Sequence, residues 1–139
     1  MKKFMFPILL IVFVIAGCSG SGSPIPETIR YPSWFVMGSY VDETEAIKFH
    51  FSDEAFSVDG LQEDSPIYGI SISAERLEII DDVPGNFTGF TLRCEEDDFT
   101  YDFVIYKEQN SNKTVEIEFW ITQNGVSQKF TFGWCDLVK

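Results

Sequence analysis

The chain has 139 residues, 22 acidic against 10 basic side chains, a formal net charge of −12 and a single histidine. That length builds one domain around a single core. The acidity argues against nucleic acid as a partner and against an electrostatic hold on anionic lipid heads, and one histidine removes multi-histidine metal sites.

The chain opens on Met1-Lys2-Lys3, followed by an apolar run from Phe4 to Ile15. A basic start, an apolar stretch of about a dozen residues and small residues after it make a secretory signal. The run is too short to span a bilayer, which takes about 20 residues. It ends in Ile15-Ala16-Gly17-Cys18, which resembles the lipobox of bacterial lipoproteins: an aliphatic residue, two small ones, then cysteine. The resemblance implies a lipid chain on the Cys18 thiol, cleavage after Gly17, and palmitate-type acylation of the new amine. Residues 1–17 are then a signal peptide, and the product is anchored to the cell envelope membrane rather than spanning it. Ser19, where some lineages read an aspartate, favours the outer membrane over the inner. Ser19 to Ser23 alternates serine and glycine before Pro24-Ile25-Pro26, so residues 18–30 read as a flexible tether.

From Tyr31 onward the hydrophobic period is two. Ile47, Phe49 and Phe51 alternate with mostly polar residues. So do Tyr68, Ile70 and Ile72; Phe99, Tyr101, Phe103 and Ile105; Val115, Ile117, Phe119 and Ile121; and Phe130, Phe132 and Trp134. Such alternation marks antiparallel strands with one packed and one wet face. Turn residues punctuate the runs, and Asn124-Gly125 is the sharpest hairpin signal. Strands are expected near 34–41, 45–51, 54–58, 66–73, 76–81, 87–94, 98–107, 113–123 and 126–134, with one helical turn near 73–77. Residues 31–139 then form an all-β domain, an antiparallel meander closing as an eight- to nine-stranded barrel. A two-sheet sandwich is the alternative.

Pro32-Ser33-Trp34-Phe35-Val36-Met37-Gly38-Ser39-Tyr40 resembles the opening strand of bacterial lipocalin-like lipoproteins, where Gly-x-Trp leads into an up-and-down barrel. Tyr40 stands where that family has Trp, and the last strand offers Lys129 where it often has Arg. The resemblance implies a barrel whose end is packed by Trp34, Gly38 and Tyr40, and whose interior holds a small apolar ligand. The inward set is Ile47, Phe49, Phe51, Tyr68, Ile70, Phe103, Phe119 and Phe130. Of these, Phe49, Phe51, Tyr68, Phe103, Phe119 and Phe130 are the candidate ligand contacts. Eight strands leave room either for side chains alone or for one small ligand, and a modest apolar pocket towards one end is expected.

Catalytic and cofactor chemistry find no motif. His50 lies on a polar face, no Gly-x-Ser-x-Gly elbow or phosphate loop is present, and the acidic turn Glu95-Glu96-Asp97-Asp98 lacks the spacing of a calcium loop. No cofactor, no metal and no enzymatic activity are expected. With Cys18 lipidated, Cys94 and Cys135 remain, and in an oxidising compartment one disulfide is expected between them; two free buried thiols are the alternative. Trp120 and Tyr106 fall on outward positions, where large apolar surface needs a reason: they are expected to shield neighbouring strands or flank a mouth, with a contact patch for a partner or glycan as the alternative. Two functions therefore stand: a barrel carrying a small apolar ligand at the envelope, or a surface protein meeting a protein or glycan through its outer face.

Overall fold

The structure, a computed structural model, describes residues 28–138. Cys18, the signal segment and most of the tether lie outside the described residues. Nine strands follow in order: β1 (Gly38–Asp42), β2 (Lys48–Phe51), β3 (Ala55–Asp59), β4 (Ser71–Ser73), β5 (Glu78–Ile80), β6 (Gly89–Glu96), β7 (Phe99–Lys107), β8 (Thr114–Gln123) and β9 (Val126–Val138). All belong to one antiparallel sheet in the order β4-β3-β2-β1-β9-β8-β7-β6-β5. It is therefore an all-β, barrel-like fold of one sheet, not the two-sheet alternative.

Two meanders make this sheet, β1 to β4 and β5 to β9. They join where β1 pairs with β9, from Ser39 opposite Val138 to Asp42 opposite Cys135. A single 3-10 turn, Ala74–Arg76, links β4 to β5, where the sequence places its one helical turn. β4 and β5 are also the sheet's two edges. An odd number of alternating strands leaves the two edges pointing the same way, so they cannot complete an antiparallel ring. Arg76 spans this seam by an ion pair to Glu96 on β6, at 2.9 Å.

Aromatic rings drive the curl. Phe51 packs on Phe56 with ring centroids 4.9 Å apart, Phe56 on Phe103 at 4.6 Å, and Phe103 on Phe119 at 4.8 Å. Phe56 sits on β3 and Phe103 on β7, far apart in the strand order, so their contact brings opposite walls together. Tyr40, Phe49, Phe90 and Leu92 are likewise wholly buried. Residues 28–37 fold under one end as a plug. Phe35 stacks on Tyr40 at 5.5 Å and meets Phe90 edge-on at 4.9 Å, and Trp34 meets Phe90 at 5.8 Å.

Three expectations need correction. The tether does not extend to residue 30: Ile29 is buried in the core and its amide donates to the Asp53 carbonyl at 2.7 Å. The expected strand at 66–73 contracts to Ser71–Ser73, because the Tyr68 amide donates to Ser65 and the Ile70 amide to Ile67 in successive turns. Tyr68 consequently stands 53% exposed, and Ile67 takes the inner position. Finally, β9 carries a bulge: Ile117 faces Gly133 but Glu118 faces Thr131, and Gly133 has φ 75°. Phe130 and Phe132 pack on the core before the bulge, Cys135 and Leu137 after it, and Trp134 is turned outward.

Truncating the ring at the centre of this stack leaves a cavity that opposite walls cannot collapse to fill. Phe103→Ala should cost about 3–5 kcal/mol, read as a lowered urea midpoint, while Phe87→Ala on the surface should stay within about 0.5 kcal/mol.

Candidate functional site

The interior residues expected to hold a ligand are instead spent on one another. Phe49, Phe103 and Phe119 are fully buried and Phe51 nearly so. Phe130 is partly buried against Phe119, at 5.8 Å. Tyr68 is not among them. Of the residues expected at one barrel end, Trp34 and Tyr40 each pack on Phe35, with ring centroids 5.8 and 5.5 Å away. The Tyr40 hydroxyl donates to the Val36 carbonyl at 2.7 Å, and a Cβ on Gly38 would press on Leu137 Cδ1 at 2.8 Å.

Cys94 and Cys135 are both free and buried, which overturns the expected disulfide. The ladder explains why. Cys94 faces Tyr101 on β7, whereas Cys135 faces Val115, which faces Lys107 at the far end of β7. That offset along the strand is on the order of 20 Å, against the roughly 7 Å a disulfide tolerates. Burial pushes the Cys135 thiol up to about 12, with the Asp42 carboxylate adding to it. Burial also raises Cys94, with Arg76 opposing. Neither is an activated nucleophile.

His50 lies on the outer face between Ser39 and Asp59. Ser39 Oγ is 2.8 Å from Nδ1, and Asp59 Oδ2 is 2.7 Å from Nε2. The three strands β1, β2 and β3 supply one residue each. The order of groups matches a hydrolytic relay; His50 is partly and Asp59 73% exposed, and none of the three lines either depression described below. The line ties three adjacent strands together through side chains.

The outer face of β6 to β9 is different. Tyr106, Glu116 and Trp134 lie on one rung of the ladder. Glu118 on the next rung is only 8% exposed. It accepts from the Tyr106 hydroxyl at 2.8 Å and faces Lys129 Nζ at 3.3 Å, so its buried charge is paired as burial requires. Burial, then the bond to Glu118, raises Tyr106 above the usual phenol range. Residues 81–88 cross this face. Val83 is buried there and Thr91 Oγ1 donates to the Asp82 carbonyl at 3.0 Å. The crossing needs glycine at 89, since a Cβ would run into the Ile105 carbonyl.

The crossing separates two of the depressions on this face. One, of about 460 Å³, is walled by Pro84, Trp120 and the Arg93–Asp102 pair. That pair is a fork of 2.7 and 2.9 Å contacts, so its charges already answer each other, and Lys129 lies 5.5 Å over the Trp120 ring. The other, of about 640 Å³, is lined by Phe87, Tyr106, Lys107, Glu116, Glu118 and Trp134. Phe87 is 67% and Trp134 42% exposed, and Phe87 meets Tyr106 edge-on at 5.7 Å. Tyr106 and Trp120 were legible as outward residues by parity. Trp134 and Phe87 were not, and the available signal for Trp134 was Gly133 directly before it.

No family model matches the chain, and neither a curated protein nor a solved structure resembles it significantly.

Two outcomes follow from these environments. The Cys18→Ala full chain, unfolded in guanidinium chloride without reductant, should titrate two thiols, and the folded protein close to none. Alkali should also unfold the protein. Burial raises Tyr40 from 10.0 to about 12, and Tyr31 and Tyr106 rise as well. A folded value above the unfolded one means stabilisation that is complete below pH 10 and lost as pH climbs through about 12. Urea midpoints measured across that window should fall, and less steeply in Tyr40→Phe.

Proposed function

We propose that this protein is a lipid-anchored lipoprotein of the bacterial envelope that engages a partner through the outer face of β6 to β9. The anchor is supported by the basic start, the apolar run and Ile15-Ala16-Gly17-Cys18. The observation that carries the outer-face reading is the groove at Phe87, Tyr106 and Trp134, three aromatic rings held outside a barrel whose interior is packed with phenylalanine. Exposed aromatics gathered around a polar rim mark interaction surfaces. A lipocalin-like carrier needs room for its ligand in the lumen, and Phe56, Phe103 and Phe119 occupy that room.

The anchor is tested by growing cells with labelled fatty acid: label should enter the full chain and be absent from Cys18→Ala. The outer face is tested by placing a photoreactive residue at Phe87 and, separately, at Asp59 on the far wall. A heavier cross-linked species should form from position 87 and not from 59. Its absence, together with a non-covalently bound fatty acid released from purified Cys18→Ala chain, would restore the carrier reading.

A further inference from the structure

We infer that the Phe87–Tyr106–Trp134 groove receives a cationic side chain, an arginine or lysine of a basic partner segment, seated between the Tyr106 and Trp134 rings over Glu116. The inference rests on the outer-face reading and gives it a partner chemistry. Tyr106, Glu116 and Trp134 are successive residues on one rung, where Cβ atoms lie about 4.5–5.5 Å apart. A carboxylate flanked by two aromatic side chains is the arrangement that holds an organic cation, because ring faces and carboxylate both attract positive charge.

Which charges are already committed decides the sign of the ligand. Glu118 is taken by Tyr106 and Lys129. Lys107 Nζ donates to the Glu108 carbonyl at 3.3 Å, and the Glu108 carboxylate accepts from the Asn110 amide at 2.8 Å. Glu116 has no hydrogen-bond or ion-pair partner among the described residues, although it is half-buried in the rung. Lys107 and Glu108 keep opposite formal charges that offset each other, Lys129 offsets Glu118, and Glu116 is left over, so the net charge of the groove is negative. Tyr106 is also held ready: its hydroxyl is fixed by Glu118 and its ring by the edge of Phe87, so little ordering remains to be done on binding. A volume of about 640 Å³ exceeds what a lone ammonium fills, which favours a side chain carried on a polypeptide. The net charge of −12 steers basic partners towards the surface and repels acidic ones. A neutral sugar would stack on Trp134 but would leave Glu116 without a counter-charge.

The test is calorimetric titration of the full chain in neutral detergent with an arginine-rich hexapeptide and with its citrulline counterpart. The arginine peptide should bind and weaken as ionic strength rises towards about 0.15 M, and the citrulline peptide should bind at least roughly tenfold more weakly. Glu116→Gln should weaken the arginine peptide roughly tenfold and Trp134→Ala roughly fivefold. Asp59→Asn, the same charge change on the far wall, should alter it less than about twofold. Equal effects of Glu116→Gln and Asp59→Asn, or equal binding of the two peptides, would overturn the inference. Cell-wall oligosaccharide binding that Trp134→Ala abolishes, with no peptide binding, would overturn it and leave the outer-face reading standing. No binding of either kind and no cross-link from position 87 would remove both.

Discussion

The contact between Phe56 and Phe103, 4.6 Å between ring centroids, turns a sheet into a body. β3 and β7 are separated by four other strands, and in this nine-stranded sheet the edge strands β4 and β5 are not paired with each other. Burial of apolar surface does what pairing does not. Each ring removes on the order of 150–250 Å² from water, and placing them on opposite walls makes that burial depend on the curl. The seam between β4 and β5 then needs only a short covalent link and one ion pair, Arg76 to Glu96.

Filling the interior has a consequence for the exterior. Aromatic residues on a strand must face one side or the other, and once the inner side is full any further ring stands outside. The bulge at Gly133 makes that choice for Trp134. With φ 75° and nothing within 4 Å of where its Cβ would lie, glycine there is required by backbone conformation alone. The bulge there reverses the parity of β9, so Trp134 is exposed where unbroken alternation would turn it inward. The same reversal sends the Cys135 thiol into the core, away from anything that could oxidise or bind it.

Strand existence was legible because alternation and burial are the same fact seen twice: Phe49 and Phe51, or Ile117 and Phe119, are inward in sequence and in space. The helical turn was legible from the break in that alternation. What failed were the places where alternation persists without a ladder behind it. Tyr68, Ile70 and Ile72 keep the period, but Ser65 to Ile70 satisfies its amides locally through turns, and parity has no meaning without a partner strand. The disulfide failed for a different reason. Two leftover cysteines state a possibility, and only the register of β6 to β9 states a distance. The site was half legible: Tyr106 by parity, but its neighbours Glu116 and Trp134 only by ladder register, a long-range quantity that no single stretch of sequence carries.

Register also fixes where the groove lies along the barrel. Lys107, Thr114 and Gly89 close the same end of the sheet as Val138 and Ser39. Ile29 enters at that end too, bonded to Asp53 in the β2–β3 turn. If the lipid sits on Cys18, the stretch from there to Ile29 can reach at most about 40 Å when fully extended. The groove would then work close to the bilayer, and a partner would have to present its basic segment within that distance. If the anchor and the groove are as proposed, repulsion of an acidic domain by anionic headgroups would turn the groove towards a protein cation rather than press it against the lipid.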